Sequence, residues 1–330
     1  MADVAVLGAV GYAGAIAAQL LYKHPGFELK HVTARAEAGH RLDEIHPRTR
    51  VPLELEVFDA ERHAVDAAVV AYPHGAAAPV VAELRSRGTR VVDLSADFRL
   101  TDRGIYDDWY GSHKAPELFG HGVYGLPELK RADIAGSDLV ANPGCYPTAA
   151  LLGLAPLARA GLIGDVVIDA KSGVSGAGRG ATHATHFISA DENVTPYKIE
   201  GHRHTPEIEQ ELGVLGNDVT ITFMPHLLPL AQGELVSCYV TPSRAVTDDE
   251  LTELFDDAYA REPFVELRSG AVGVLDVRDT NYCRISWFAD PRTGRIIVFS
   301  VIDNLWKGAA SQAVQNLNLM FGRPETEGWL

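Results

Sequence analysis

Of the three cysteines in this chain of 330 residues, one stands where a thiol can react. Cys145 follows an apolar, strand-like approach, Leu139-Val140-Ala141, that ends at Asn142. The Pro143-Gly144 pair then forces a turn, because proline fixes φ and glycine admits positive φ. The small and apolar run from Cys145 to Leu154 reads as a helix, with Pro147 and Thr148 in its first turn. A thiol at a helix N-terminus meets free N–H groups and the positive end of the helix dipole, which favour the nucleophilic thiolate. Cys238 and Cys283 sit in alternating, strand-like stretches and read as buried structural thiols.

Proton transfer points to His202 and His204, which flank Arg203 ahead of Thr205-Pro206-Glu207. That triplet reads as a helix start, with Thr205 as N-cap, Pro206 in the first position and Glu207 in the first turn. Imidazole, with a reference pKa near ~6.5, suits proton shuttling at neutral pH. Spacing does not choose between the two histidines. His183 and His186 add a second short spacing, but neither pair has a cysteine or a clear carboxylate beside it, and no metal site is expected. Lys171 to Gly180, a Gly/Ser run with Lys171 and Arg179 near its ends, reads as an anion-cradling loop.

These groups need a scaffold, and the N-terminal half supplies its pattern. Asp3–Leu7 is a short buried strand, Gly8-Ala9-Val10-Gly11-Tyr12-Ala13-Gly14 a glycine-rich turn, and Ala15–Tyr22 a helix. Strand, glycine turn and helix in that order are the context of a dinucleotide site: the glycines admit the pyrophosphate and the helix N-terminus receives its charge. The next strand, Phe27–Thr33, closes on Thr33-Ala34-Arg35 rather than an acidic residue, which favours NADP over NAD. Strands at 66–71 and 90–94, with a helix at 79–88 between them, imply a parallel sheet with helices on both faces. Their C-terminal ends carry Pro73-His74-Gly75 and Ser95 to Arg99, where α/β sheets bind ligands. Arg99 offers a planar fork for an anion, or a partner for Asp97 or Asp102. Residues 101–138 read as a long irregular loop over that crevice.

The second half alternates like half-buried strands at 165–170, 219–223, 234–239, 272–277, 282–288 and 295–302. A helix at 248–260 is capped by Thr247. An α+β domain with a mostly antiparallel sheet follows, and such a sheet leaves one face for a subunit interface. Ala309–Phe321 is a closing helix with Ala313, Leu317 and Met320 on one side, expected to return to the first domain. The formal charge of −15 disfavours nucleic acid and anionic membranes as partners. The start of the chain has no basic stretch ahead of an apolar core, and no apolar run approaches membrane-spanning length, so a cytoplasmic location is expected.

The stretch Val140-Ala-Asn-Pro-Gly-Cys145-Tyr-Pro-Thr-Ala149 resembles the signature of the N-acetyl-γ-glutamyl-phosphate reductases of arginine biosynthesis. Gly8 to Gly14, Asp93 to Arg99, Tyr124 to Glu128, Ser172 to Arg179, His202 to Glu207 and Asn304 to Ala310 resemble that family's motifs too, so the likeness covers nearly the whole chain. Tyr72, before Pro73, stands where an aliphatic residue is expected. The resemblance implies a fold like glyceraldehyde-3-phosphate and aspartate-semialdehyde dehydrogenases: a Rossmann-type NADP-binding domain (1–146 and 308–330) and an α+β substrate and oligomerisation domain (147–307). It implies reduction of an acyl phosphate by NADPH through a Cys145 thioester, with a histidine, taken as His202 ahead of His204, as acid/base, in a homodimer or homotetramer. Substrate is assigned to Arg99, Asn142, Ser172, Arg179 and Arg203. The cofactor is assigned to Gly8, Gly11, Tyr12, Ala13, Gly14, Thr33, Arg35, Pro73, Ser175, Gly176 and Asn304. Other readings are a reductase of carrier-protein-borne acyl phosphates, an aspartate-semialdehyde dehydrogenase, and a non-catalytic NADP-binding protein.

Overall fold

A computed structural model describes residues 1–329, which fall into two compact units, Met1–Gly144 with residues 309–329, and Cys145–Gly308.

The first unit is built on seven strands: β1 (Ala2–Leu7), β2 (Phe27–Thr33), β3 (Leu55–Glu56), β4 (Ala67–Val70), β5 (Arg90–Asp93), β6 (Val123–Tyr124) and β7 (Leu139–Ala141). All pair in parallel, in the order β3-β2-β1-β4-β5-β7-β6. The central strands are apolar except near their ends, because both faces are covered. Val4 and Val6 of β1 join one buried cluster, while Ala5 and Leu7 join another on the opposite side. The helices are α1 (Tyr12–Tyr22), α2 (Leu42–Ile45), α3 (Ala77–Ser86), α4 (Arg103–Tyr110) and α5 (Pro127–Ala135). Residues 101–138 are therefore not an irregular loop, since they carry α4, β6 and α5. Asp102 caps α4 by accepting from the Ile105 N–H at 2.9 Å. Tyr106 is buried against Tyr110, His113 and Phe119, which anchors the segment.

The second unit holds α6 (Cys145–Arg159), β8 (Ile163–Gly173), α7 (Phe187–Ala190), β9 (Thr195–Pro196), α8 (Thr205–Val214), β10 (Thr222–Leu228), β11 (Glu234–Pro242), α9 (Asp248–Tyr259), β12 (Val265–Leu267), β13 (Cys283–Ala289) and β14 (Ile296–Ile302). Its sheet runs β12-β13-β14-β11-β8-β10-β9 and is mixed, with β8–β10 and β12–β13 parallel and the other four pairs antiparallel. The expected strand at 272–277 is instead a 3-10 turn at Val274–Asp276, and the one expected at 219–223 begins at Thr222. Apolar on all sides and buried from Tyr146 to Ala158, α6 is the centre of this unit. Val236, Cys238 and Val240 of β11 line up with Ala170, Ile168 and Val166 of β8 and with Ser300, Val298 and Ile296 of β14 on one buried face. A Cβ on Gly153 of α6 would touch Ser300 and Val298 at 3.4 Å, which places the helix on that face.

A π-helical turn, Trp306–Ala310, leads into α10 (Ser311–Met320), which packs on α1 and α5. α10 has no solvent side: all its residues are buried, polar ones included. Asn316 donates to the Gly125 carbonyl and the Asn142 side chain, and Asn318 to the carbonyls of Glu325 and Glu327. The amide N–H groups of the polar stripe thus serve neighbouring backbone and the Asn142 side chain, while the Asn316 and Asn318 amide oxygens are buried without a hydrogen-bond partner among the described residues.

Candidate active site

The first unit carries the dinucleotide turn. Gly8 holds φ +83°, and a Cβ there would meet the Ala71 carbonyl oxygen at 2.7 Å. A Cβ on Gly14 would lie 2.3 Å from the Gly8 oxygen, so this glycine lets α1 close on the turn. Gly11 differs: a Cβ there would find only the Gly8 oxygen, at 3.5 Å. Gly11 also caps α1 without a side-chain acceptor. Open space over a glycine at an uncapped helix N-terminus is what a pyrophosphate needs, so the residues present fit a dinucleotide. Tyr12 and Ala13 open α1. Pro73 and Arg35 are exposed beyond β4 and β2. Thr33 is buried, its hydroxyl bonded to the Gly8 N–H and to the Tyr72 hydroxyl at 3.1 Å, so it braces the turn from below. Tyr72, the atypical residue, thereby ties β4 to β2.

The Asp93 to Arg99 motif is a hydrogen-bond hub. Asp93 accepts from the Ser95 hydroxyl and N–H, and burial pushes its carboxyl up to about 7. Asp97 receives the N–H groups of Gly75 and Ala78 and the Tyr106 hydroxyl. Buried Arg99 donates from Nε to the Asn142 carbonyl and from Nη2 to the Leu94 carbonyl, both at 2.8 Å. The Asn142 amide donates to the Ala309 carbonyl and accepts from Asn316. Arg99 and Asn142 thus fix the turn that precedes Cys145, and His74 accepts from the Ala96 N–H in the same network.

In the second unit Cys145 is partly exposed as the first residue of α6, whereas Cys238 and Cys283 are buried in β11 and β13. Burial raises the Cys238 thiol to about 12. The Cys145 thiol faces a carboxyl that the sequence reading missed, Glu234. This side chain is fully buried, and neither of its oxygens has a partner in hydrogen-bonding geometry. Burial lifts its pKa to about 8 against the smaller lowering influence of Cys145 and Ser172, and nearby Asp303 pushes the same way as burial. Glu234 is therefore mostly protonated at neutral pH. The available signal was a lone carboxylate opening an apolar, alternating strand, Glu234-Leu-Val-Ser-Cys-Tyr-Val. Ser172 pairs with Glu234 across β8 and β11 and is buried.

His202 and His204 stand together, ring centroids 4.7 Å apart. Around His202 lie Tyr146, Tyr197 and Phe223 at 5.7, 5.6 and 5.3 Å, and the two tyrosine hydroxyls bond at 3.1 Å. The His204 N–H donates to His202 Nδ1, which leaves the His202 proton on Nε2. Burial, with Lys198 and Arg203 adding to it, lowers the pKa of His202 to about 4. His202 is thus neutral, a donor through Nε2. α8 begins at Thr205 itself; His204 takes the cap position, without a side-chain cap bond, so Thr205 is not the N-cap. His183 and His186 are exposed, as are Arg179, Gly176 and Arg203. Asn304 donates to the Ser175 hydroxyl and accepts from the Gly233 N–H, joining the 174–177 turn to the start of β11.

Residues 3–137 match the family described as semialdehyde dehydrogenase, NAD binding domain, and residues 145–304 match semialdehyde dehydrogenase, dimerisation domain. A curated N-acetyl-gamma-glutamyl-phosphate reductase from Desulforudis audaxviator is 48% identical over 99% of this chain and 98% of its own. The chain belongs to the N-acetyl-gamma-glutamyl-phosphate reductase family. Members from Syntrophobacter fumaroxidans and Pelobacter propionicus are 46% and 47% identical over the same shares. In fold, this chain is similar to an aspartate semialdehyde dehydrogenase II from Vibrio cholerae, with TM-score 0.74 and 20% identity over 98% of both chains. The aspartate semialdehyde dehydrogenase of Candida albicans, solved with NADP, has TM-score 0.67 and 15% identity over 97% of this chain and 98% of its own. No described helix is long and apolar enough to cross a membrane.

Proposed function

We propose that this chain reduces N-acetyl-γ-glutamyl phosphate with NADPH to N-acetylglutamate semialdehyde and phosphate, in the cytoplasm, as a step of arginine biosynthesis. The carrying observation is Cys145, the partly exposed first residue of α6, in a chain whose other cysteines are buried in the sheet. The relatives' shared name supports the free acetylated substrate over a carrier-borne one.

The Cys145 thiolate attacks the acyl carbon, and the tetrahedral oxyanion collapses with cleavage of the bond to phosphate, leaving a thioester. NADPH, when bound through Gly11, α1 and Arg35, supplies the hydride that takes this thioester to the aldehyde level. The first turn of α6 stabilises negative charge on the former carbonyl oxygen, and His202 Nε2–H donates to it. Because His202 is neutral, it acts as a hydrogen-bond donor rather than as an imidazolium. Expulsion of the Cys145 thiolate then frees the semialdehyde. Neutral Glu234 keeps a second negative charge away from that thiolate. Exposed Arg179 and Arg203 supply cations for the substrate's phosphate and carboxylate. Arg99 and Asn142 act as positioning residues.

The second unit is assigned to self-association as a homodimer, the base unit of any tetramer. The sheet face opposite α6 presents Tyr239 of β11 and Ile297 and Phe299 of β14, all half-buried, beside Phe288, which is 52% exposed. An apolar sheet face of this kind, in a segment matching a dimerisation domain, suits a second copy of the chain.

The test is the reverse reaction with N-acetylglutamate semialdehyde, phosphate and NADP⁺. Phosphate-dependent NADPH formation, absent with aspartate semialdehyde, is expected. No turnover despite NADP binding overturns the assignment.

A further inference from the structure

At the edge of the first unit's sheet, three residues outside the proposed catalytic machinery point side chains at one spot. His31 comes from β2, Glu56 from the edge strand β3, and His63 from the segment that follows. Glu56 Oε2 lies 3.0 Å from His31 Nδ1 and 2.7 Å from His63 Nε2. One ligand atom from each of the three falls within 4.8 Å of the others. Zinc–nitrogen and zinc–oxygen bonds of about 2.1 Å place tetrahedral ligand atoms about 3.4 Å apart, so the two contacts need to open by only about 0.4–0.7 Å to admit an ion. From these positions we infer that His31, Glu56 and His63 form a binding site for a borderline divalent cation such as Zn²⁺, which fastens the edge strand β3 to β2.

The hydrogen bonding around His63 supports this. Its ring is fully buried, and Nδ1 lies 2.7 Å from the Asp59 carbonyl oxygen and 2.9 Å from the Asp59 N–H. With the proton on Nδ1 donated to that carbonyl, Nε2 directs a lone pair at a carboxylate oxygen. Two acceptors that face each other at 2.7 Å need a proton between them, or a small opening that admits a metal ion. With the proton on Nε2 instead, Nδ1 accepts from the Asp59 N–H at 2.9 Å, but its lone pair also faces the Asp59 carbonyl oxygen at 2.7 Å. Neither neutral tautomer satisfies both contacts; a second ring proton does, and so does a metal ion on Nε2 with the proton on Nδ1. A backbone carbonyl fixing the far nitrogen is also how metal-binding imidazoles are oriented. Arg62 holds Glu56 Oε1 at 2.5 Å, which leaves Oε2 as a single-oxygen ligand. Side-chain exposures of 22% for His31 and 18% for Glu56 leave a solvent route for entry and a fourth ligand water. Two imidazoles, one carboxylate and an open position suit Zn²⁺ or Co²⁺ better than Ca²⁺ or Mg²⁺.

The experiment is a Co²⁺ titration of the chelator-treated full chain followed by its visible d–d absorption, with Cys145 alkylated so that its thiol cannot bind the ion. A Zn²⁺ thermal-shift series runs in parallel. Saturation at one equivalent, a Zn²⁺-dependent rise in melting temperature, and loss of both in His31→Asn and Glu56→Gln are expected. The partly exposed His31→Asn carries the test if Glu56→Gln fails to fold. No uptake by the folded wild type, or uptake unchanged in the folded variants, overturns the site and leaves a proton-sharing cluster.

Discussion

The backbone of Gly308 passes so close to Cys145 that a Cβ built on it would lie 2.7 Å from the Cys145 Cβ and 3.2 Å from its Cα. The nucleophile is thus seated against a residue that must lack a side chain. Gly308 donates to the Asp303 carbonyl at 3.0 Å, so it cannot simply swing aside. Gly308→Ala should push Cys145 out of place and lower kcat by about 100-fold, the scale on which small misplacements act. NADP binding should be retained, as read by fluorescence titration. Wild-type turnover in this variant would show that Cys145 does not need this seat.

Glu234 predicts an alkaline limit on activity. Its folded pKa of about 8 lies above the reference 4.5, so the folded chain binds more protons than the unfolded one between those values. Stability on its account is full below 4.5 and is lost as pH rises through about 8. Ionised Glu234 also opposes the thiolate beside it. Wild-type kcat/KM should therefore fall above about pH 8, while Glu234→Gln should keep its rate there and lose the stability slope. Superimposable pH profiles for the two proteins would remove Glu234 from the reaction.

Much of this arrangement was legible because it is local. The spacing of Gly8, Gly11 and Gly14 between a strand and a helix fixes a turn within one βα unit, and Pro143-Gly144-Cys145 fixes the next helix start. What escaped depends on partners distant in sequence. Glu234 reads as an ordinary strand end until β11 pairs with β8 and sets it beside Ser172 and Cys145. The neutrality of His202 comes from Tyr146, Tyr197 and Phe223, which only the folded second unit assembles. In α4, Gly104, Asp107 and Asp108 conceal an eight-residue helix with one buried side chain, held by its Asp102 cap and aromatic contacts. Arg99 was readable as a planar fork, but not as a clamp on the backbone of Asn142 and Leu94.

His202 predicts a displaced acid limit. Its folded pKa of about 4 lies below the reference 6.5, so its contribution to stability is present above 6.5 and is lost as pH falls toward about 4. As a neutral donor it should sustain kcat/KM well below pH 6.5, without the inflection an ordinary histidine gives. His202→Asn should reduce kcat by about 10²–10⁴-fold while leaving NADPH binding intact. An inflection near 6.5 that vanishes in His202→Asn would instead make it a conventional titrating acid/base.

Arg35 predicts the choice between nicotinamide cofactors. It is exposed just beyond β2, and the strand ends in Thr33 rather than in an acid that would hold the ribose hydroxyls. Thr33 is occupied with Gly8 and Tyr72, so the burden of a 2′-phosphate falls on the guanidinium. A hydrogen bond to a charged group contributes about 1.5–3 kcal/mol, so Arg35→Ala should raise KM for NADPH roughly 10- to 100-fold. KM for NADH, which lacks that phosphate, should hardly move, and kcat at saturation should be kept because Arg35 touches no reacting atom. An equal rise for both cofactors would place Arg35 in the packing of the turn and move phosphate recognition elsewhere in the first unit.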